Sequence, residues 1–145
     1  AMGHPSQIAL GMALAKPDKL VVCLDGDGSA IMHLGGLTTV GKLRPKNFLQ
    51  VVLNNGVHES VGCQPTAGFT TNLTKIAENS GYKSMGKEID TQKELCEAVK
   101  YFLEFNGPTF IDVRVRKGIR SDLGKINDSL RSLKINFMSN QTKEV

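Results

Sequence analysis

Residues 19–37 read KLVVCLDGDGSAIMHLGGL, and the order of events in them decides the architecture. An apolar, β-branched run from Leu20 to Leu24 stops on Asp25 and Asp27, two carboxylates separated by one glycine. Runs so nearly continuous in apolar residues predict a strand covered on both faces. Gly26 and Gly28 let the main chain turn tightly and let a ligand approach it, and Ser29 is expected to open a helix. A strand, a tight turn and a helix make the repeating unit of a parallel sheet, whose ligands collect outside the carboxyl ends of the strands. Freed amides near Gly28 and Ser29, with the positive end of a helix dipole behind them, suit a phosphate. A carboxylate beside a phosphate repels it unless a divalent cation lies between them.

Working outward, a second apolar run from Phe48 to Leu53 ends on Asn54-Asn55-Gly56, again a strand followed by a turn. Adjacent parallel strands would bring Asp27 and Asn55 to one rim. Magnesium takes about six oxygens, commonly one or two carboxylates with phosphates and waters. Asp27, the Asn55 amide oxygen and the Val57 carbonyl are the candidate ligands. A third run, Phe110 to Val115, alternates, with Asp112 and Arg114 on what should be a wetter face, and a short strand around Lys83 to Gly86 is a weaker expectation. Helical spacing covers Ser6 to Ala15, then Ala30 through Gly41 up to Pro45. Asn72 reads as the N-cap of a helix that stops at Gly81. Thr91 and Glu94 form a capping box ahead of the stripe Leu95, Ala98, Val99, Phe102 and Leu103. Strands alternating with helices predict an α/β fold, a parallel sheet with helices on both faces. The tail carries a weak helical pattern through Ile126, Leu130 and Leu133.

The chain has 145 residues, 40% hydrophobic and 22% charged, with a net charge of +4. That fits one compact domain with a core of its own. The cations are scattered with no basic run and no interleaved aromatics, so a nucleic-acid partner is not expected. Cys23, Cys63 and Cys96 lack metal-ligand spacing and read as reduced thiols, which points to a cytoplasmic location. No stretch approaches the ~18 consecutive apolar residues of a membrane span, so no membrane association is expected. G-x-G-x-x-G is absent after the first strand, which removes the dinucleotide-binding fingerprint.

Gly26-Asp27-Gly28, 25 intervening residues and then Asn54-Asn55 resembles the magnesium–thiamine diphosphate motif of thiamine diphosphate-dependent 2-oxoacid decarboxylases. The resemblance runs from Met2 to about Gly124, and His58 to Thr66, HESVGCQPT, is most similar to the phosphonopyruvate decarboxylases. It implies the diphosphate-binding, C-terminal domain of the thiamine diphosphate-binding fold over residues 1–124, with 125–145 a helical tail of the same domain. It implies thiamine diphosphate and magnesium as cofactors, held by Met2, Gly26, Asp27, Gly28, Ser29, Asn55, Val57 and Ser60, with Asp27, Asn55 and Val57 on the metal. Met2 falls where a bulky apolar residue props the cofactor in its bent form. The activating glutamate belongs to a pyrimidine-binding domain, so a partner domain on the same or another chain is implied, as is a homo-oligomer.

The substrate implied is a 2-oxoacid with a second anionic group, phosphonopyruvate first, giving phosphonoacetaldehyde and carbon dioxide. Sulfopyruvate decarboxylation and acetolactate-type carboligation stand as alternatives, as does a non-catalytic nucleotide-binding module. No residue is assigned a catalytic role outright. His58 follows the motif closely enough to reach the cofactor or substrate, and equally reads as a polar residue opening a helix. His4 and Glu59 are left open in the same way, and His33 is expected simply to pack on its helix. Asp25 receives a structural or solvated role. Gln64, Pro65 and Thr66 either shape a pocket for an anionic substrate or merely turn the chain, and Lys117 to Arg120 either meet a phosphonate or lie solvated.

Overall fold

The computed structural model describes residues 1–124 and 126–142, without the side chains of Leu103 and Thr142. Leu103 on the helical stripe, Lys125 at the expected tail boundary and the last residues of the tail therefore lie outside the described set.

The elements run α1 (Pro5–Ala15), β1 (Val21–Gly26), α2 (Asp27–Met32), α3 (Gly36–Leu43), β2 (Phe48–Asn54), β3 (Val57–His58), β4 (Gln64–Pro65), α4 (Leu73–Asn79), α5 (Gln92–Glu104), β5 (Thr109–Arg114) and α6 (Leu130–Thr142). The main sheet is parallel in the order β1-β2-β5, with Val21 opposite Phe48 and Leu49 opposite Thr109. The segment expected as a weak strand near Lys83 contributes isolated parallel bridges, Lys83 to Thr109 and Ile89 to Val113, along the outer edge of β5. A short antiparallel ribbon, β3 with β4, follows the Asn54-Asn55 turn.

Helices cover both faces. Leu10 and Ala13 of α1, Leu37 and Val40 of α3, and Leu73 and Ala77 of α4 pack against Cys23, Phe48, Val52 and Phe110. On the opposite face Ala98 and Phe102 of α5 meet Leu49, Val51, Ile111 and Val113. Each fully buried Val, Leu, Ile or Phe among them contributes ~1.5–3 kcal/mol.

Three expectations are corrected here. The first strand is not covered on both faces: Val22 and Leu24 are 50% and 65% exposed, because β1 is an edge strand and α5 lies over β2 and β5. The third strand has no wet face at Asp112, which is buried, although Arg114 at its end is exposed; its alternation marks a polar network instead of solvent. The helical stretch from Ala30 to Gly41 is two helices broken at His33–Gly35. Adjacent glycines weaken a helix there, and His33 Nδ1 instead bonds the Gly3 carbonyl at 3.1 Å.

The caps are clearer. Asn72 accepts from the Lys75 amide at 2.9 Å, and Thr91 Oγ1 accepts from the Glu94 amide at 3.3 Å. The Glu94 carboxylate turns to the Thr91 hydroxyl and to Lys87. Val99 of the expected stripe is exposed, while Ala98 and Phe102 are buried. The tail forms α6, with Leu130, Ile135, Phe137 and Met138 exposed. No helix among the described residues is long and apolar enough to cross a membrane.

Candidate functional site

Register brings the two motifs together. Gly26, the last residue of β1, lies opposite Leu53 of β2, so Asp27 and Asn55 emerge side by side at the carboxyl rim of the sheet. The helix after β1 starts earlier than expected, at Asp27 with Gly26 as its N-cap. The amides of Asp27, Gly28 and Ser29 thus belong to the first turn, where backbone donors have no helical partner.

Met2, Gly26, Asp27, Gly28, Ser29, Asn55, Val57, His58 and Ser60 all line a single cavity of about 370 Å³, together with Leu53 and Glu59. Every residue proposed from the sequence as a cofactor or metal contact is on that list. The neighbours of the two glycines differ. A Cβ on Gly26 would meet nothing within 4 Å, so the space above it is open, whereas one on Gly28 would lie 2.6 Å from His58 Nδ1. The His58 imidazole therefore packs against the Gly28 backbone and forms one wall of the cavity. Its side chain caps no helix. His33 lies outside this cavity, edge-on to His4 at 5.1 Å between ring centroids.

The two aspartates have separate fates. Asp25 is buried within β1, and burial raises its carboxyl above the usual range against the opposing pull of Ser29 and the Gly26 amide. It is therefore not solvated. Asp27 is 2% exposed yet has no cationic partner among the described residues. Its Oδ2 accepts a hydrogen bond from the Thr66 hydroxyl, which in turn accepts from the Gly68 amide at 3.1 Å. Thr66 reaches this position because its own amide is tied to the Gly56 carbonyl at 2.9 Å.

Asn55 is preset by an Asx-type turn. Its Oδ1 accepts from the Val57 amide at 3.1 Å, and its Nδ2 donates to Glu59 Oε2 at 2.9 Å. A carbonyl oxygen has two lone pairs, so Asn55 Oδ1 keeps acceptor capacity. Val57 and Pro65 face each other without exchanging hydrogen bonds, the next bond in register running from the Thr66 amide to the Gly56 carbonyl, while Cys63 donates to the His58 carbonyl within the turn. In such a pair the main-chain groups point out of the ribbon, which leaves the Val57 carbonyl clear of β4.

Sequence reasoning missed the support behind these groups. Asn54 is fully buried, donates to the Gly68 carbonyl at 2.9 Å and to Asp112 Oδ1 at 3.3 Å, and leaves its Oδ1 without a partner. Asp112, pushed up to about 6 by burial and opposed by the Asn54 bond, closes the network from β5. The doubled asparagine was the available signal: one amide is turned into the core and the other toward the cavity.

Among the described residues, no group of three or more His, Cys, Asp or Glu side chains converges as a metal site. The donors at this rim are instead mixed: one buried carboxylate with no cationic partner among the described residues, one amide oxygen and one main-chain carbonyl. That set fits a hard cation which completes its shell with phosphate oxygens and water. The open space over Gly26 and the first-turn amides of α2 fit the phosphates themselves.

Comparison with known proteins shows the family. Residues 1–113 match the family described as "Thiamine pyrophosphate enzyme, C-terminal TPP binding domain". The chain is 38% identical over 125 residues to a phosphonopyruvate decarboxylase of Streptomyces viridochromogenes, covering 86% of this chain and 31% of the relative. It is 36% identical over 116 residues to the sulfopyruvate decarboxylase subunit beta of Methanococcus maripaludis, covering 80% and 61% respectively. Among solved structures, a thiamine diphosphate-dependent 4-hydroxybenzoylformate decarboxylase of Rhodococcus jostii RHA1 superposes with a TM-score of 0.69 at 25% identity, covering 81% of this chain and 24% of that one. The chain thus spans about a third of the length of the phosphonopyruvate decarboxylase it matches.

Proposed function

The chain belongs to the thiamine pyrophosphate enzymes, as their C-terminal TPP-binding domain, and from that premise we propose that it clamps the diphosphate end of the cofactor in a 2-oxoacid decarboxylase acting on phosphonopyruvate. The observation that carries this reading is the meeting of Asp27, Asn55 and Val57 with Gly28 and Ser29 in one cavity. Asp27, the Asn55 amide oxygen and the Val57 carbonyl would hold magnesium. The first-turn amides of α2 would receive the diphosphate, Met2 would support the ring, and Ser60 would lie at the cavity's mouth. Bound thiamine diphosphate supplies the electron sink that takes up the electron pair released as carbon dioxide departs. The work of this chain is to fix that group in place, since orientation accounts for a large share of such rate enhancements.

A second domain that binds the pyrimidine and carries the activating glutamate, on the same or another chain, would complete the site. The 38% identity to a phosphonopyruvate decarboxylase supports that substrate. The similarity to a sulfopyruvate decarboxylase beta subunit supports a second reading, in which a sulfonate replaces the phosphonate and the partner domain is a separate subunit.

The test is calorimetric titration of thiamine diphosphate into the chain and into an assembly that supplies the pyrimidine-binding domain, with and without magnesium. Binding should require the cation and should be lost in Asp27→Ala. Phosphonoacetaldehyde should form only in the assembly. Turnover by the 145-residue chain alone, or cofactor binding indifferent to both magnesium and Asp27, would refute the proposal.

A further inference from the structure

Beyond Asn55 lies a second cavity, about 450 Å³ in volume, bordered by Asn55, Phe69, Asp90 and Arg114 and by the segment carrying Arg116 and Lys117. This segment leaves the end of β5 and is held at both ends. The Val115 amide donates to the Asn54 carbonyl at 2.9 Å, and the Gly118 amide donates to Glu59 Oε1 at 2.5 Å. Glu59 holds Asn55 through its other oxygen. The two basic residues are therefore carried on a loop strapped to the same asparagine pair that forms the neighbouring site.

The charges are unequally distributed between the two cavities. The cavity containing Asp27 is lined by no lysine or arginine, and its carboxylates are Asp27 and Glu59. In the second cavity Arg114 is already committed, paired with Glu88 at 2.6 Å and lying over the Phe69 ring at 4.0 Å. Arg116 and Lys117 are exposed and pair with no carboxylate among the described residues. Asp90 is the acid on this cavity's wall, so the lining carries an excess of positive charge. Two cations without carboxylate partners on an anchored loop are free to receive an anion, and an arginine's planar fork matches a phosphoryl-type oxyanion well.

We propose that Arg116 and Lys117 bind a tetrahedral oxyanion of the phosphonate or phosphate class beside the cofactor cavity. Two sources share that chemistry: the second acidic group of the substrate, and the diphosphate of the cofactor. The assignment rests on the reading that Asp27 and Asn55 hold the cofactor through a cation, and its test separates the two ideas.

The experiment is an NMR titration of the ¹⁵N-labelled chain with methylphosphonate, repeated after saturation with magnesium and thiamine diphosphate. Methylphosphonate should shift the amides of Arg116, Lys117 and Gly118 saturably. Arg116→Ala combined with Lys117→Ala should weaken that binding by about tenfold or more, equivalent to ~1.4 kcal/mol. Both residues are exposed, so this variant is expected to fold, and an unchanged spectrum elsewhere checks it. If the shifts persist at full strength with the cofactor bound, the site belongs to the substrate's acidic group; if the cofactor abolishes them, it belongs to the diphosphate. Either result upholds an anion site. Absent shifts at these amides, or equal affinity in the double variant, would overturn it. Failure of magnesium and thiamine diphosphate to perturb Asp27 and Gly28 in the assembly that supplies the pyrimidine-binding domain, with methylphosphonate still binding, would instead refute the cofactor clamp and leave the anion site standing.

Discussion

Replacing Gly68 by alanine should damage the site by a calculable route. A Cβ there would lie 2.5 Å from Asn54 Oδ1 and closer still to Asp27 Oδ2, whereas ordinary contact begins at 3.4 Å. One or both polar groups must move by about 1 Å to relieve the overlap. Neither has an easy retreat. Asp27 is held by the Thr66 hydroxyl, and Asn54 is tied to the Gly68 carbonyl and to Asp112. Overpacking of this kind costs about 1–3 kcal/mol, and weakening the bond to the Asp27 carboxylate adds about 1.5–3 kcal/mol. A destabilisation of about 2.5–6 kcal/mol is therefore expected. Because a group misplaced by about 1 Å loses about a hundredfold in effect, magnesium-dependent cofactor binding by the protein that remains folded should fall by about that factor. Urea denaturation measures the first and calorimetry on the surviving folded protein the second. Gly11→Ala is the control: it lies within α1 with nothing inside 4 Å of the new Cβ, and should stabilise by about 0.5–1 kcal/mol. If Gly68→Ala behaved like Gly11→Ala in both assays, the close packing assigned to this turn would be wrong.

Other outcomes follow from the core. Tyr82→Phe keeps the ring contacts with Phe48 and Phe110 but removes the 2.9 Å bond to buried Gln50 Oε1; stability should fall by about 1–3 kcal/mol in urea titrations, and no change would show that water replaces the hydroxyl. Asp112, pushed up to about 6 from 3.8 by burial, binds protons more readily in the native chain than in the unfolded one. Its contribution to stability therefore declines as pH rises from about 4 through about 6 and stays reduced above that. Asp112→Asn should accordingly gain stability at neutral pH relative to its effect at about pH 4, and a pH-independent difference would contradict this. Maleimide should modify Cys63 and Cys96 in the native protein and reach Cys23 only on unfolding, because Cys23 is buried and its thiol is pushed up to about 12; mass spectrometry counts the adducts.

How far the sequence could be read depended on the distance over which each feature is determined. The two strand ends were legible because apolar runs stopped abruptly on Asp25-Gly26-Asp27 and Asn54-Asn55-Gly56, and adjacent parallel strands place such ends on one rim. The caps at Asn72 and Thr91 were legible because a cap acts within one turn. The exposure of Val22 and Leu24 was not, since it depends on which strand lies at the edge and how far α5 reaches. Nor was the burial of Asp112, whose alternating neighbours look like those of a half-solvated strand. Thr66 reads equally as a pocket-shaping residue or as part of a turn, because its bond to Asp27 spans 39 positions and has no local pattern to announce it. The segment from Lys117 to Arg120 reads either as a phosphonate contact or as a solvated stretch, because the partners that anchor Val115 and Gly118 lie far away in sequence.

Those anchors also bear on the order in which the molecule assembles. The Asn54 carbonyl waits for Val115, and Glu59 waits for Gly118, 59 residues further along. Closing such a long loop is slow compared with forming the local turns it joins. During synthesis the Asn54-Asn55 turn leaves the ribosome well before the segment that secures it. The rim should therefore be among the last parts of the fold to become rigid, and a ribosome-stalled chain ending before β5 should retain α1 and its neighbours without a competent cavity.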